Sequence, residues 1–142
     1  YKKIQGLASE AIPVLLSDMT EGPLAGRKQD DQQATYLRKR SEEDGVIDWD
    51  QPADYIQKLV RALTHPYIGA HSYYSGDKII IWKTNILNIQ NNEVFNMPPG
   101  TIFRYENYFP CVATKSEPIQ IIEYQTPRNT TLKNGDYLER QL

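Results

Sequence analysis

The sequence lacks nearly everything that a self-contained catalytic site needs. Cys111 is the one cysteine in 142 residues, so no disulfide closes within the chain and no cysteine-rich zinc cage forms. The two histidines, His65 and His71, have no cysteine or carboxylate at metal-ligand spacing, which leaves no metal motif. His65 reads as a helix-end residue and His71 as a strand residue, both structural. There is no G-x-S-x-G elbow, P-loop or dinucleotide glycine fingerprint. No apolar run approaches the roughly 18 residues of a membrane span, and no charged-then-apolar leader opens the chain. A cytoplasmic protein is the expectation. The first residues after Tyr1 already follow a helical pattern, as in a fragment of something longer.

An excess of positive charge is missing too. Sixteen Lys+Arg stand against eighteen Asp+Glu, a net charge of −2, so the balance does not favour the broad basic face with which proteins hold nucleic-acid phosphates. Without that charge, the ten tyrosines read as strand and core residues rather than as stacking platforms for bases.

What is present is periodic. Ile4, Leu7, Ala8, Ala11 and Leu15 recur at helical spacing, and Pro13 predicts a kink or restart because it has no N–H to donate back. Glu21-Gly22-Pro23 is a stop signal. That apolar stripe needs a neighbour to cover it. A second helix is predicted with Asp50 as N-cap, Pro52 in its first turn, and Ala53, Ile56, Leu59, Val60 and Leu63 as the buried stripe. His65-Pro66 ends it.

Beyond that point the pattern turns to strands. Residues 70–74 and 78–87 flank Ser75-Gly76-Asp77, a hairpin signature. Residues 101–105, 111–114 and 119–124 read as three further strands, after the break at Pro98-Pro99-Gly100. Five short strands in this span predict a small, partly open barrel of OB-like type.

Between the helices, residues 24–45 form a polar connector anchored by Ala34, Tyr36 and Leu37. Arg38-Lys39-Arg40 follows Tyr36 and could grip a phosphate, arginine offering a two-pronged fork. Glu42, Glu43 and Asp44 come next and offset that charge, so a solvated, locally neutral loop is the plainer reading.

The ordered series Gln29-Asp30-Asp31-Gln32-Gln33-Ala34-Thr35-Tyr36, then Gly45-Val46-Ile47-Asp48-Trp49, then Pro66-Tyr67-Ile68-Gly69-Ala70 and Ile81-Trp82-Lys83 resembles the 10-formyltetrahydrofolate-dependent formyltransferases, over about 29–83 and weakly to the end. The resemblance implies an α+β chain: the last helix of a Rossmann-like formyltransferase domain (1–23), a connector (24–46) and a C-terminal domain of one helix and a small OB-like five-stranded barrel (47–142). Gln29, Asp30, Asp48, Trp49, Arg61 and Gly69 are then structural motif residues. Asp48 or Asp50 would cap the helix, Trp49 would pack where connector meets barrel, Arg61 would hold a carboxylate such as Asp30, and Gly69 would permit a tight approach of strand to helix. The family's catalytic Asn, His and Asp would lie upstream, with 10-formyltetrahydrofolate bound there. No catalytic residue is assigned to this chain, which alone is expected to be inactive.

The acidic balance and the Leu132-Lys133-Asn134-Gly135-Asp136-Tyr137-Leu138 finish favour relatives that formylate nucleotide-linked amino sugars. Tyr36, Arg38 and Arg40 are then the candidate substrate-binding residues. The alternative partner is initiator methionyl-tRNA, held by the barrel. The expected partners also include the upstream catalytic domain and a second copy as a homodimer, but no membrane. A stand-alone OB-like binding module is a further alternative, opposed by the uncovered stripe of the first helix.

Overall fold

The computed structural model describes residues 2–24, 26–89, 92–128 and 130–139. The chain divides into two compact units, residues 1–38 and 39–142. The first is built on helix α1, Lys2–Thr20, which continues through Pro13 without the expected restart and stops ahead of Gly22-Pro23. Every described residue of α1 is exposed. Ile4, Leu7, Ile12, Val14, Leu15 and Leu16 are each about half exposed or more, and with Ala8, Ala11 and Met19 they sweep an apolar arc of roughly 200° around the axis. After the helix, Asp30 caps a 3-10 turn, Asp31–Gln33, by accepting from the Gln32 N–H at 3.0 Å and from Gln33 Nε2 at 2.8 Å.

The second unit holds the core. Its entry is a 3-10 turn, Glu42–Gly45, closed by the Ser41 N–H donating to the Asp44 carboxylate at 2.8 Å. Val46 then bridges His71 in parallel, and the Ile47 N–H donates to the His71 carbonyl at 2.7 Å, so the chain enters along the side of the first strand. Helix α2 covers Ala53–Leu63 and buries Ala53, Ile56, Val60 and Leu63, with Leu59 half-buried. Burying Ile56, Val60 and Leu63 contributes about 1.5–3 kcal/mol each as an upper bound. Asp50 is not its N-cap. Pro52 holds that position and has no side-chain acceptor to offer, so the Ala53 N–H finds its acceptor in Ser116 Oγ at 2.9 Å, 63 residues further along the chain. Asp48 does not cap α2 either; its carboxylate takes the Asp50 N–H at 3.1 Å and Gln51 Nε2 at 3.2 Å, forming the turn before the helix.

Strands β1 (Ala70–Tyr74), β2 (Asp77–Ile86), β3 (Ile102–Tyr105), β4 (Tyr108–Val112) and β5 (Ile119–Gln125) form one antiparallel sheet in the order β1-β2-β5-β4-β3. Ser75 and Gly76, at φ 51° and 82°, make the tight primed turn that suits two twisted strands. The β2–β5 register slips around Trp82 and again across Ile122, bending the sheet.

The outer strands β1 and β3 are joined by a segment with no strand pattern in its sequence. Ile102 N–H donates to the Asp136 carbonyl at 2.7 Å and Leu138 N–H to that of Gly100 at 2.9 Å. On the other side Tyr73 and Glu139 exchange both backbone bonds, at 3.0 and 2.7 Å. Residues 134–139 therefore close the expected partly open barrel. Its interior is filled by Ile79, Ile81, Ile102, Val112, Ile119 and Leu132 in one cluster with the α2 stripe. A smaller cluster, with Leu87, Val94, Phe103 and Cys111, includes a residue of the short helix α3, Asn92–Phe95, an element the sequence pattern did not predict.

Candidate functional site

The C-terminal end of α2 faces a cleft of about 480 Å³ within the second unit. Lys39 and Arg40, Ala62 and Leu63 of α2, and Pro66, Tyr67 and Ile68 line it. The turn after α2 is held by the Tyr67 N–H donating to the Thr64 carbonyl at 3.1 Å and the Gly69 N–H to that of Leu63 at 2.9 Å. These bonds fix the backbone while leaving Tyr67 and Ile68 about half exposed.

The turn is also pinned to the sheet. Thr64 Oγ1 donates to the Trp82 carbonyl at 3.1 Å, and the His65 ring stacks on Trp82 with centroids 3.9 Å apart and planes 18° from parallel. His65 thus lies past the end of α2, which is Leu63, and serves as a stacking partner. Gly69, at φ +81°, is where turn and strand meet. A Cβ there would overlap Ile80 Cγ2 and stand 2.9 Å from Trp82 Cζ3. Only glycine fits both the dihedral and the space.

Two side-chain cations meet exposed aromatic and aliphatic surface here. The half-charge at the C-terminus of α2 is negative and favours cations near it. Arg61, exposed in the last turn of α2, adds a third cation near this end. The arrangement can bind and orient. The Cys111 thiol is buried, donates to the Tyr108 carbonyl at 3.1 Å, and is pushed up by burial to about 11. His71 is buried and held below its ordinary value, first by burial and then by nearby Lys78, against smaller opposing effects of Glu42 and the Gly69 backbone. Glu42 is itself held below the usual carboxylate range by its bond to Lys78. Among the described residues, no three His, Cys, Asp or Glu side chains group as a metal site.

Of the sequence-derived candidates, Arg40 lines this cleft, whereas Tyr36 and Arg38 belong to the first unit and do not. Tyr36 is 87% exposed and Arg38 is exposed. Tyr67 and Ile68 were not singled out, although two large apolar residues directly after His65-Pro66 were the available signal. Gln29 and Asp30 line a shallow polar hollow of about 440 Å³ along residues 27–34. Trp49 is buried where the entering chain meets β1, its Nε1 donating to Ser72 Oγ at 3.0 Å.

Residues 39–142 match the family described as Formyl transferase, C-terminal domain, and the chain belongs to that family. A methionyl-tRNA formyltransferase from Caldanaerobacter subterraneus subsp. tengcongensis is 30% identical over 138 residues, 97% of this chain but 43% of that protein. The chain thus spans less than half the length of that relative. In solved structures, a variant of HypX from Aquifex aeolicus matches with a TM-score of 0.60 at 14% identity, over 83% of this chain and 20% of that one, a likeness of fold.

Proposed function

We propose that this chain is the C-terminal part of a formyltransferase that moves a formyl group from 10-formyltetrahydrofolate to a primary amine, with folate and catalytic residues supplied by an upstream domain. The observation that carries this reading is α1. It lies outside the matched family domain, yet it exposes an apolar arc that a helix cannot leave in water without cost. An upstream domain accounts for that arc, and a relative more than twice as long as its aligned segment is consistent with one. Among the described residues no helix is long and apolar enough to cross a membrane, which fits a cytoplasmic enzyme.

For the acceptor, methionyl-tRNA is the better supported choice, because the similarity to a methionyl-tRNA formyltransferase runs through nearly the whole chain. A nucleotide-linked amino sugar is the second reading, favoured by charge: residues 39–142 carry eleven Lys+Arg against thirteen Asp+Glu. On the amino-sugar reading, Tyr36, Arg38 and Arg40 are the proposed acceptor contacts on this chain.

The test is an assay of the full-length parent protein with 10-formyltetrahydrofolate, following folate product against charged methionyl-tRNA and a panel of nucleotide-linked amino sugars. Turnover with tRNA supports the leading acceptor, and turnover with a sugar nucleotide alone replaces it with the second. No formyl transfer to either amine would refute the reading.

A further inference from the structure

We propose that the turn entering the barrel, residues 41–46, is a strap latched over the neutral His71 ring, and that a proton on that ring releases it. Val46 bridges His71 and the Ile47 N–H donates to the His71 carbonyl at 2.7 Å, while Glu42 ties the turn across to Lys78 of β2. Gly45 lies against the imidazole: a Cβ there would stand 3.0 Å from His71 Nδ1 and 3.1 Å from the Gly69 carbonyl oxygen. Gly45 has no positive φ, so the lack of a side chain, and not a dihedral, is what lets the turn close. The ring beneath is 1% exposed, and among the described residues its Nδ1 has no hydrogen-bond partner. A buried polar atom in that state is uncommon and costly. A proton raises the cost, because an imidazolium carries two N–H donors and a charge that burial leaves unsolvated. Lifting the turn brings water to Nδ1 and removes that cost, with the fully buried Ile47 side chain as the fixed end.

The groups facing the ring do not make up the loss. Burial, and after it the Lys78 charge from β2, oppose a charge on His71. Glu42 from the turn and the Gly69 backbone favour one, but by less, and Tyr73 of β1 meets the ring edge-on with centroids 5.9 Å apart. Glu42 is held below the usual carboxylate range by its bond to Lys78, so it keeps its charge where histidine titrates. His71 is therefore the group at this junction whose charge changes between about pH 7.5 and 5.5. What it releases is the last stretch of connector before the barrel, whose attachment to β1 then follows pH. The inference stands on the second unit alone and needs nothing from the formyl-transfer reading.

The experiment is amide hydrogen exchange by NMR on the folded 142-residue chain between pH 7.5 and 5.5, each rate divided by that of an unstructured peptide at the same pH. The Ile47 amide reports the strap, and the Ala113 amide, which donates to the Thr101 carbonyl at 3.0 Å, reports the barrel. Ile47 is expected to be less protected than Ala113 throughout. Its protection should fall about five- to tenfold by pH 5.5, the change that a histidine with an ordinary value of about 6.5 in the open state produces over this range. In His71→Gln the fall should vanish. Gly45→Ala should wedge the strap and lower Ile47 protection about fivefold already at pH 7.5, which keeps the test decisive if His71→Gln does not fold. Ile47 protection equal to that of Ala113 at every pH would mean that the turn opens only when the barrel unfolds, and overturns the proposal. A wild-type profile without pH dependence, a fall that survives in His71→Gln, or unchanged protection in Gly45→Ala overturns it as well.

Discussion

Substituting Ser72 with alanine removes one buried oxygen and should destabilise the domain by about 2–4 kcal/mol. Ser72 is fully buried and sits between two partners: its hydroxyl accepts from Trp49 Nε1 at 3.0 Å and donates to the Glu139 carbonyl at 2.8 Å. Each bond is worth about 1 kcal/mol net, and a buried N–H left without an acceptor costs about 1–3 kcal/mol. The Glu139 carbonyl keeps the Tyr73 N–H, so the orphan is the indole. If that argument is right, the cost depends on the indole being there. In a Trp49→Phe background, Ser72→Ala should cost only about 1 kcal/mol, because no donor is then stranded. The coupling between the two sites should therefore be about 1–3 kcal/mol. Urea unfolding followed by far-ultraviolet circular dichroism on wild type, both single variants and the double variant reads this cycle directly. Equal costs for Ser72→Ala in the two backgrounds, or a loss under about 0.5 kcal/mol in wild type, would refute the reasoning.

Two further outcomes follow from the same packing. Gly69→Ala combines an unfavourable positive φ with overlap on Ile80 and Trp82, so it should cost about 2–4 kcal/mol and shift the Trp82 emission, and a variant as stable as wild type would contradict the crowding at this turn. His71 is held below its ordinary value in the folded chain, so the unfolded chain binds the proton first; its contribution is complete above the unfolded value near 6.5 and is lost as pH falls below it. Stability should decline from pH 7.5 to 5.5 with a slope of at most about 1.4 kcal/mol per pH unit from this group. His71→Gln should flatten that decline, and an unchanged profile in the variant would show that another group is responsible.

The elements set by local pattern were legible. The α2 stripe and the Ser75-Gly76-Asp77 hairpin depend on side-chain period and turn chemistry within a few residues, and the strands lie within a few residues of their predicted positions. What could not be read were arrangements made by residues far apart in sequence. Asp50 was the nearest capping side chain, but the acceptor for the Ala53 N–H is Ser116, supplied by a loop that only the folded barrel brings close. Residues 134–139 carry no alternating pattern, because their role in the sheet rests on backbone bonds to β1 and the approach to β3. Half of the candidate site shared this difficulty. Arg40 stood out as part of a charge run, whereas Tyr67 and Ile68 gain their meaning only when the turn after α2 is set beside Lys39 and Arg40. Net charge is likewise a property of the whole chain and places no cation anywhere, which is why it favoured the amino sugar while the similarity to a methionyl-tRNA formyltransferase supports the other acceptor.

The closure of the barrel by residues 134–139 also sets an order of events during synthesis. Ser72 and Glu139 are 67 positions apart, and at the ribosome's pace of roughly 5–20 residues per second β1 waits about 3–13 s before its last partner has been made. The β1–β2 hairpin can form in microseconds, so through that interval the Tyr73 part of its outer edge stands open, beyond the stretch that Val46 and Ile47 cover at His71, and the Trp49–Ser72 pair lacks its Glu139 partner. The nascent chain thus passes through a stage when a ready-made strand edge is available to any other extended segment, including that of a neighbouring copy on the same message. Slowing elongation between β5 and residue 139 should lengthen that vulnerable stage without altering the finished protein.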